Sequence, residues 1–264
     1  MNLGKTNLFF GYLHIISALV LAILFYLHRN QISIKTDIYR YKITGITADM
    51  SDLQLEAEKE VDIPTQTIQI LLVVMFCVAG FFHLFYYTNG LYSKAYMTEI
   101  KKGSNRYRWL EYAITYGIIY FILLLFASVH DLNAIILGVT LSVVMMGMGL
   151  LIERSRSLTD KTIGLVFMYA MIAVLFAVLY NTLIVGDEDT QDIKHLTGEY
   201  PEWAKNTLIG MGIFSLFLAM LMSLYVGGVG KQGFDYVSYE KFYTYLSFIT
   251  KAYIGYYTTY GILK

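Results

Sequence analysis

The sequence predicts an all-α membrane protein, a seven-transmembrane-helix bundle with a short β-hairpin in its first extracellular loop, and three observations carry that expectation. Hydrophobic residues make up 56% of the chain and charged residues 15%, with a mean hydropathy of +0.52. Seven apolar stretches reach the roughly 20 residues a helix needs to cross a hydrocarbon core about 30 Å thick. One long connection, residues 28–65, alternates apolar and polar side chains in the way a strand does.

The first span, near 8–27, follows Lys5 and outruns a usual secretory h-region. No small-x-small cleavage site precedes His28, so a retained helix is expected rather than a signal peptide. In the loop that follows, Ile32 to Thr44 has period two, which predicts two short arms turning near Thr36 and Asp37. Asp49 to Asp62 is acidic and reads as a short helix or irregular chain. The second span, near 66–89, contains the single cysteine, Cys77, so no internal disulfide can form. The third and fourth, near 108–129 and 132–152, are parted by His130 and Asp131 and need a very tight turn. Spans near 162–185, 206–229 and 239–263 complete a single membrane domain over residues 1–264.

Basic residues set the expected orientation. Lys5, Lys94, Lys101, Lys102, Arg106, Arg108, Arg154, Arg156, Lys161, Lys231 and Lys241 fall on the side of the N-terminus; the opposite short connections carry Lys194, Lys205 and Lys264. The first loop adds five more but also seven acids from Asp37 to Asp62. Short loops weigh most, which predicts a multi-pass cell-membrane protein with a cytoplasmic N-terminus and an extracellular C-terminus. An exposed hairpin edge needs a partner, so a homodimer through the first loop is also expected.

Besides tyrosines, four ionisable side chains are expected within the span cores: His14, His83, Glu111 and Lys251. Lys251 lies in the segment Phe242 to Leu263, which holds no other charge. A lysine at that depth costs roughly 2.5–3.5 kcal/mol on insertion scales and marks a functional site. It could snorkel, but from mid-helix its stem reaches neither interface. Desolvation favours a neutral, nucleophilic amine suited to condensing with an aldehyde, and the resulting cation would need a counter-ion, for which Glu111 is available. Glu111 could instead be a structural carboxyl bonded to Thr115, one turn along. The two groups differ in depth: Glu111 lies about two turns into its span and Lys251 about three or four, a gap that a stem leaning toward its helix N-terminus narrows. His14 and His83 could be ordinary hydrogen-bonded core residues or a pair that stores a proton. No third ligand of suitable type accompanies them, so no metal is expected.

Arg108-Trp109-x-Glu111-Tyr112 near the start of the third span, with Lys251 in the middle of the seventh, resembles the retinal-binding heliorhodopsins, whose topology is inverted relative to ordinary microbial rhodopsins. Asn105, Thr115 (where the family usually has serine), Ser247, the set Met145, Met146, Gly149 and Glu153, and the histidines 14 and 83 match further positions, so the resemblance covers most of the chain. It implies a rhodopsin-like fold with all-trans-retinal held as a Schiff base on Lys251 and Glu111 as counter-ion. It also implies Ser247 and Thr115 as tuning hydroxyls, Tyr112, Met145, Met146 and Gly149 as polyene contacts, and His14, His83, Arg108 and Asn105 as a proton network. The methionines and glycine also read as ordinary helix packing. The fifth span lacks tryptophan and proline, so it shows no ring-binding aromatic of the usual kind.

Three functions follow. The first is a light sensor that signals by conformational change, the reading the resemblance favours. The second is a light-gated proton conductor, as the viral branch of the family implies. The third is a retinal-free transporter or receptor using the buried Lys/Glu pair. Residues 114–127 contain no second carboxylate of the kind outward pumps use. An enzyme is not expected, since no phosphate loop, dinucleotide turn or zinc spacing occurs. A net charge of zero gives nucleic-acid binding no support.

Overall fold

The computed structural model describes residues 3–29, 35–46, 53–86, 90–127, 129–188, 202–228 and 235–263. Helix α1 (Leu3–Leu27) buries one stripe, including Asn7, Phe10, His14, Ala18 and Leu21, at steps of three and four. Its other face leaves Phe9, Ile16, Leu19 and Ile23 uncovered. That apolar exterior fits lipid rather than water. Helix α2 (Thr65–Phe81) ends in a π-helical turn (Phe82–Tyr86), and a short amphipathic helix, α3 (Gly90–Lys101), follows. The rest are α4 (Arg106–Phe126), α5 (Leu132–Arg154), α6 (Leu158–Glu188), α7 (Glu202–Gly228) and α8 (Tyr236–Leu263). Setting α3 aside, these are the seven helices of the bundle. Neighbours pack in the closed order α1, α2, α4, α5, α6, α7, α8 and back to α1.

Among the described residues six helices are apolar enough to cross a membrane by length and composition alone. The seventh, α8, carries Glu240, Lys241, Lys251 and many tyrosines, which lower its hydropathy. Caps set the helix starts that matter for function. Asn105 Oδ1 accepts from the backbone N–H groups of Tyr107 and Arg108, each at 3.1 Å, and so opens α4. Gly103, at φ +74°, makes the left-handed turn out of α3 that delivers the chain to this cap. Asp131 caps α5 by accepting from Ala134 N at 2.8 Å. Asp235 caps α8 through Ser238, whose hydroxyl and N–H hold that carboxyl below its ordinary range.

The first loop forms a hairpin, but its register corrects the sequence expectation. One long strand, β1 (Lys35–Ile46), pairs antiparallel with β2 (Leu53–Pro64), from Lys35 opposite Pro64 to Ile46 opposite Leu53. There is no turn at Thr36 and Asp37, and the described part of the acidic segment, from Leu53 on, is a strand rather than a helix or irregular chain, while residues 49–52 lie outside the described residues. The reason lies in the same periodicity: Leu53, Leu55, Ala57, Val61 and Ile63 alternate with polar residues, a pattern hidden under the glutamates. Residues 32–34 of the expected first arm lie outside the described residues. Ile38 is buried in the core, and Tyr39 N donates to His130 O at 2.8 Å, so the hairpin is fastened across the tight α4–α5 turn.

Candidate functional site

Helices α4 and α8, the third and seventh spans, run in the same direction and present matching polar stripes. On α8, Glu240, Thr244, Ser247 and Lys251 are spaced four, three and four residues apart and all are buried. On α4, Arg108, Glu111, Tyr112 and Thr115 form the corresponding face. Lys251 is 0% exposed and Glu111 is 1% exposed. The Lys251 ammonium donates to Ser247 Oγ at 2.5 Å, makes an ion pair with Glu111 Oε1 at 2.9 Å, and lies 4.9 Å from the centre of the Tyr112 ring. The depth mismatch is absorbed by the lysine stem, which runs back about one turn to Ser247. Thr115 does not bond the Glu111 carboxylate; its hydroxyl donates to the Glu111 backbone carbonyl at 3.0 Å. Tyr112 donates to Tyr243 O at 3.0 Å, tying the two helices together beside the pair.

A second charged cluster lies toward the Asn105 end of the same helices. The Arg108 guanidinium forks between Glu153 of α5 and Glu240 of α8. Its plane covers the Tyr243 ring, with the guanidinium carbon 4.0 Å from the centroid. Glu153 Oε2 also accepts from Trp109 Nε1 at 2.8 Å and from Asn105 N at 2.9 Å, while Glu240 Oε1 accepts from Asn105 Nδ2 at 2.5 Å. Gly149 belongs to this region: a Cβ there would run into the Trp109 indole, so the glycine admits an aromatic ring of α4. Met145 and Met146 are 0% exposed within the central apolar cluster that also holds Trp109, Tyr112 and Tyr243.

The two histidines meet on the α1–α2 side. Their rings stack with centroids 5.4 Å apart and planes at 17°. The π-helical turn carries His83, whose Nδ1 lies 3.2 Å from Asn7 Oδ1; Asn7 Nδ2 donates to Tyr96 OH of α3 at 3.2 Å. Both ring nitrogens of His14 are buried with no hydrogen-bond partner among the described residues. The expected site residues therefore form three clusters. Arg108 and Asn105 bond to Glu153 and Glu240 rather than to the histidines. Sequence reasoning named four buried ionisable groups; Arg108, Glu153 and Glu240 are buried as well. Glu240 went unread although its spacing to Lys251 placed it on the same helix face, and Asn7 and Tyr96 gave no signal beyond their polarity. Among the described residues no three of His, Cys, Asp or Glu are grouped to hold a metal ion.

A family model described as Heliorhodopsin matches residues 3–263. No curated protein matches the chain.

Proposed function

Because the chain belongs to the heliorhodopsin family, a family of light-sensing rhodopsins whose retinal is bound as a Schiff base to a lysine, we propose that it is a photoreceptor carrying all-trans-retinal on Lys251 with Glu111 as counter-ion. The observation that carries the reading is the fully buried Lys251–Glu111 pair. The surrounding residues fit such a group. Tyr112, Tyr116, Tyr243, Met145 and Met146 supply an apolar and aromatic wall, and the buried face of α7 offers the small residues Gly212, Ser215 and Ala219. When bound, retinal supplies light absorption and a change of shape. The chain supplies the rest. Glu111 neutralises the cation at Nζ, and Ser247 orients it from one turn below. Tyr112 shields it from water and couples α4 to the backbone of α8. A small displacement of α8 therefore alters an ion pair in low dielectric, where electrostatic energies are steep.

Glu111→Gln is expected to keep retinal but shift its absorption maximum or release the Schiff-base proton, read from spectra at several pH values. An unchanged spectrum would remove Glu111 from the counter-ion role. A light-gated proton conductor is the second reading, favoured by buried hydroxyls that continue along the bundle, including Tyr120 to Ser215 at 3.3 Å and Thr258 and Thr259. Patch-clamp recording under illumination separates the two: a voltage-dependent photocurrent lost in Glu111→Gln overturns the sensor-only function. A retinal-free transporter or receptor would stay colourless after retinal addition.

The proposal also has the N-terminus cytoplasmic, which an N-terminal epitope reached only after permeabilising cells would support and one reached in intact cells would refute. It has two copies joined through the β1–β2 hairpin, a sheet of two strands among the described residues that a second copy would extend. Native mass in detergent is expected to be that of a dimer; a monomer at every concentration overturns this part.

A further inference from the structure

We propose that the Arg108 cluster binds one exchangeable proton in the dark, lodged on Glu240, as a proton-binding site separate from the Lys251–Glu111 pair. The charge count is the starting point. One guanidinium faces two carboxylates, and Arg108, Glu153 and Glu240 are 2%, 4% and 2% exposed. Lys251 is engaged by Glu111, and no other cation among the described residues makes an ion pair with either acid. With both carboxylates ionised the cluster would hold one uncompensated negative charge away from water, which costs several kcal/mol after relaxation. Taking up a proton removes that cost.

The hydrogen bonds decide where the proton sits. Glu153 receives three N–H donors, from Arg108, Trp109 and the Asn105 backbone. Glu240 receives two, from Arg108 and the Asn105 side chain. Donors favour the anion, so Glu153 keeps its charge and Glu240 holds the proton. The Asn105 amide cannot turn to compensate, because its oxygen is committed to capping α4. The other titratable groups facing the cluster are tyrosines and one acid. Tyr225 of α7 donates to the Glu153 carbonyl at 3.0 Å, Tyr236, Tyr239 and Tyr243 come from α8, and Tyr96 of α3 and Glu111 of α4 both interact electrostatically with Glu240. None of these brings a positive charge.

The inference does not depend on the bound chromophore, and its test separates the two. Infrared absorption of the full chain in nanodiscs, in the dark, with and without all-trans-retinal and across a pH series, reads protonated carboxyl groups directly. At neutral pH a carboxylic-acid carbonyl band is expected in the wild type and in Glu111→Gln. It should be absent from Glu240→Gln and from Glu153→Gln, since either substitution leaves Arg108 with one carboxylate. Glu240→Gln imitates the neutral acid and should keep the thermal midpoint near wild type, whereas Glu153→Gln should lower it. If Glu153→Gln fails to fold, the wild-type pH series and Glu240→Gln still decide. No band at neutral pH, or a band removed by Glu111→Gln and kept in Glu240→Gln, overturns the proposal. A band that emerges only when sodium is withdrawn also overturns it, making the cluster a monovalent-cation site instead.

Discussion

Lys251→Ala is expected to abolish all visible absorbance after retinal addition, the largest spectroscopic effect available in this chain. Lys251 is the one lysine of the described residues that is buried, and its amine is the nucleophile within the apolar core. No other described side chain can replace it, because condensation with an aldehyde needs an amine in the same place. The substitution also orphans Glu111, and a buried carboxylate without its cation costs about 3–5 kcal/mol when one partner of such a pair is removed. Loss of colour could then reflect loss of fold. The double variant Lys251→Ala with Glu111→Gln resolves this, since it removes both charges and should recover a monodisperse but colourless protein. A visible band in either variant that survives denaturation in acid would mean that retinal is attached elsewhere, and the photoreceptor reading would fail with it.

What could be read from the sequence depended on whether a residue was anomalous in its own segment. Lys251 stood out because nothing else between Phe242 and Leu263 is charged, and Glu111 because it is the one acid inside the third span. The spans themselves follow from length and hydropathy, and the family model matches nearly the whole chain. Glu240 was illegible for the opposite reason: an acid near the start of a span is ordinarily at the interface, in contact with water. Its burial results from Arg108, which lies 132 positions away in sequence. The same holds for Asn7, whose partners His83 and Tyr96 come from other elements. Helix α3, of 12 residues, is too short to span a membrane, and gives no hydropathy signal. In β2 the alternation is present but masked by its run of acids, which a strand with one solvated face accommodates on that face.

Arg108→Met is expected to be the most destabilising single substitution in the bundle. Two opposing magnitudes decide it. Replacing a whole buried ionic cluster by apolar residues is often neutral, because the desolvation cost disappears along with the attraction, whereas removing one partner alone costs about 3–5 kcal/mol. Methionine at 108 is the second case. It leaves Glu153 charged and without its cation, still bonded to Trp109 and the Asn105 backbone, and it uncovers the Tyr243 ring on which the guanidinium rests. At about 2–4 °C per kcal/mol for a chain of this size, the midpoint should fall by roughly 6–20 °C, or the protein should fail to accumulate. The pattern of rescue tests the charge assignment as well as the stability. Adding Glu153→Gln to Arg108→Met removes the orphaned charge and should recover most of the loss. Adding Glu240→Gln should recover little, because the side chain it replaces is already neutral. Equal rescue by both would mean that the two acids share the negative charge evenly, and a midpoint unchanged in Arg108→Met alone would mean that water reaches the cluster and that the carboxylates never depended on the arginine.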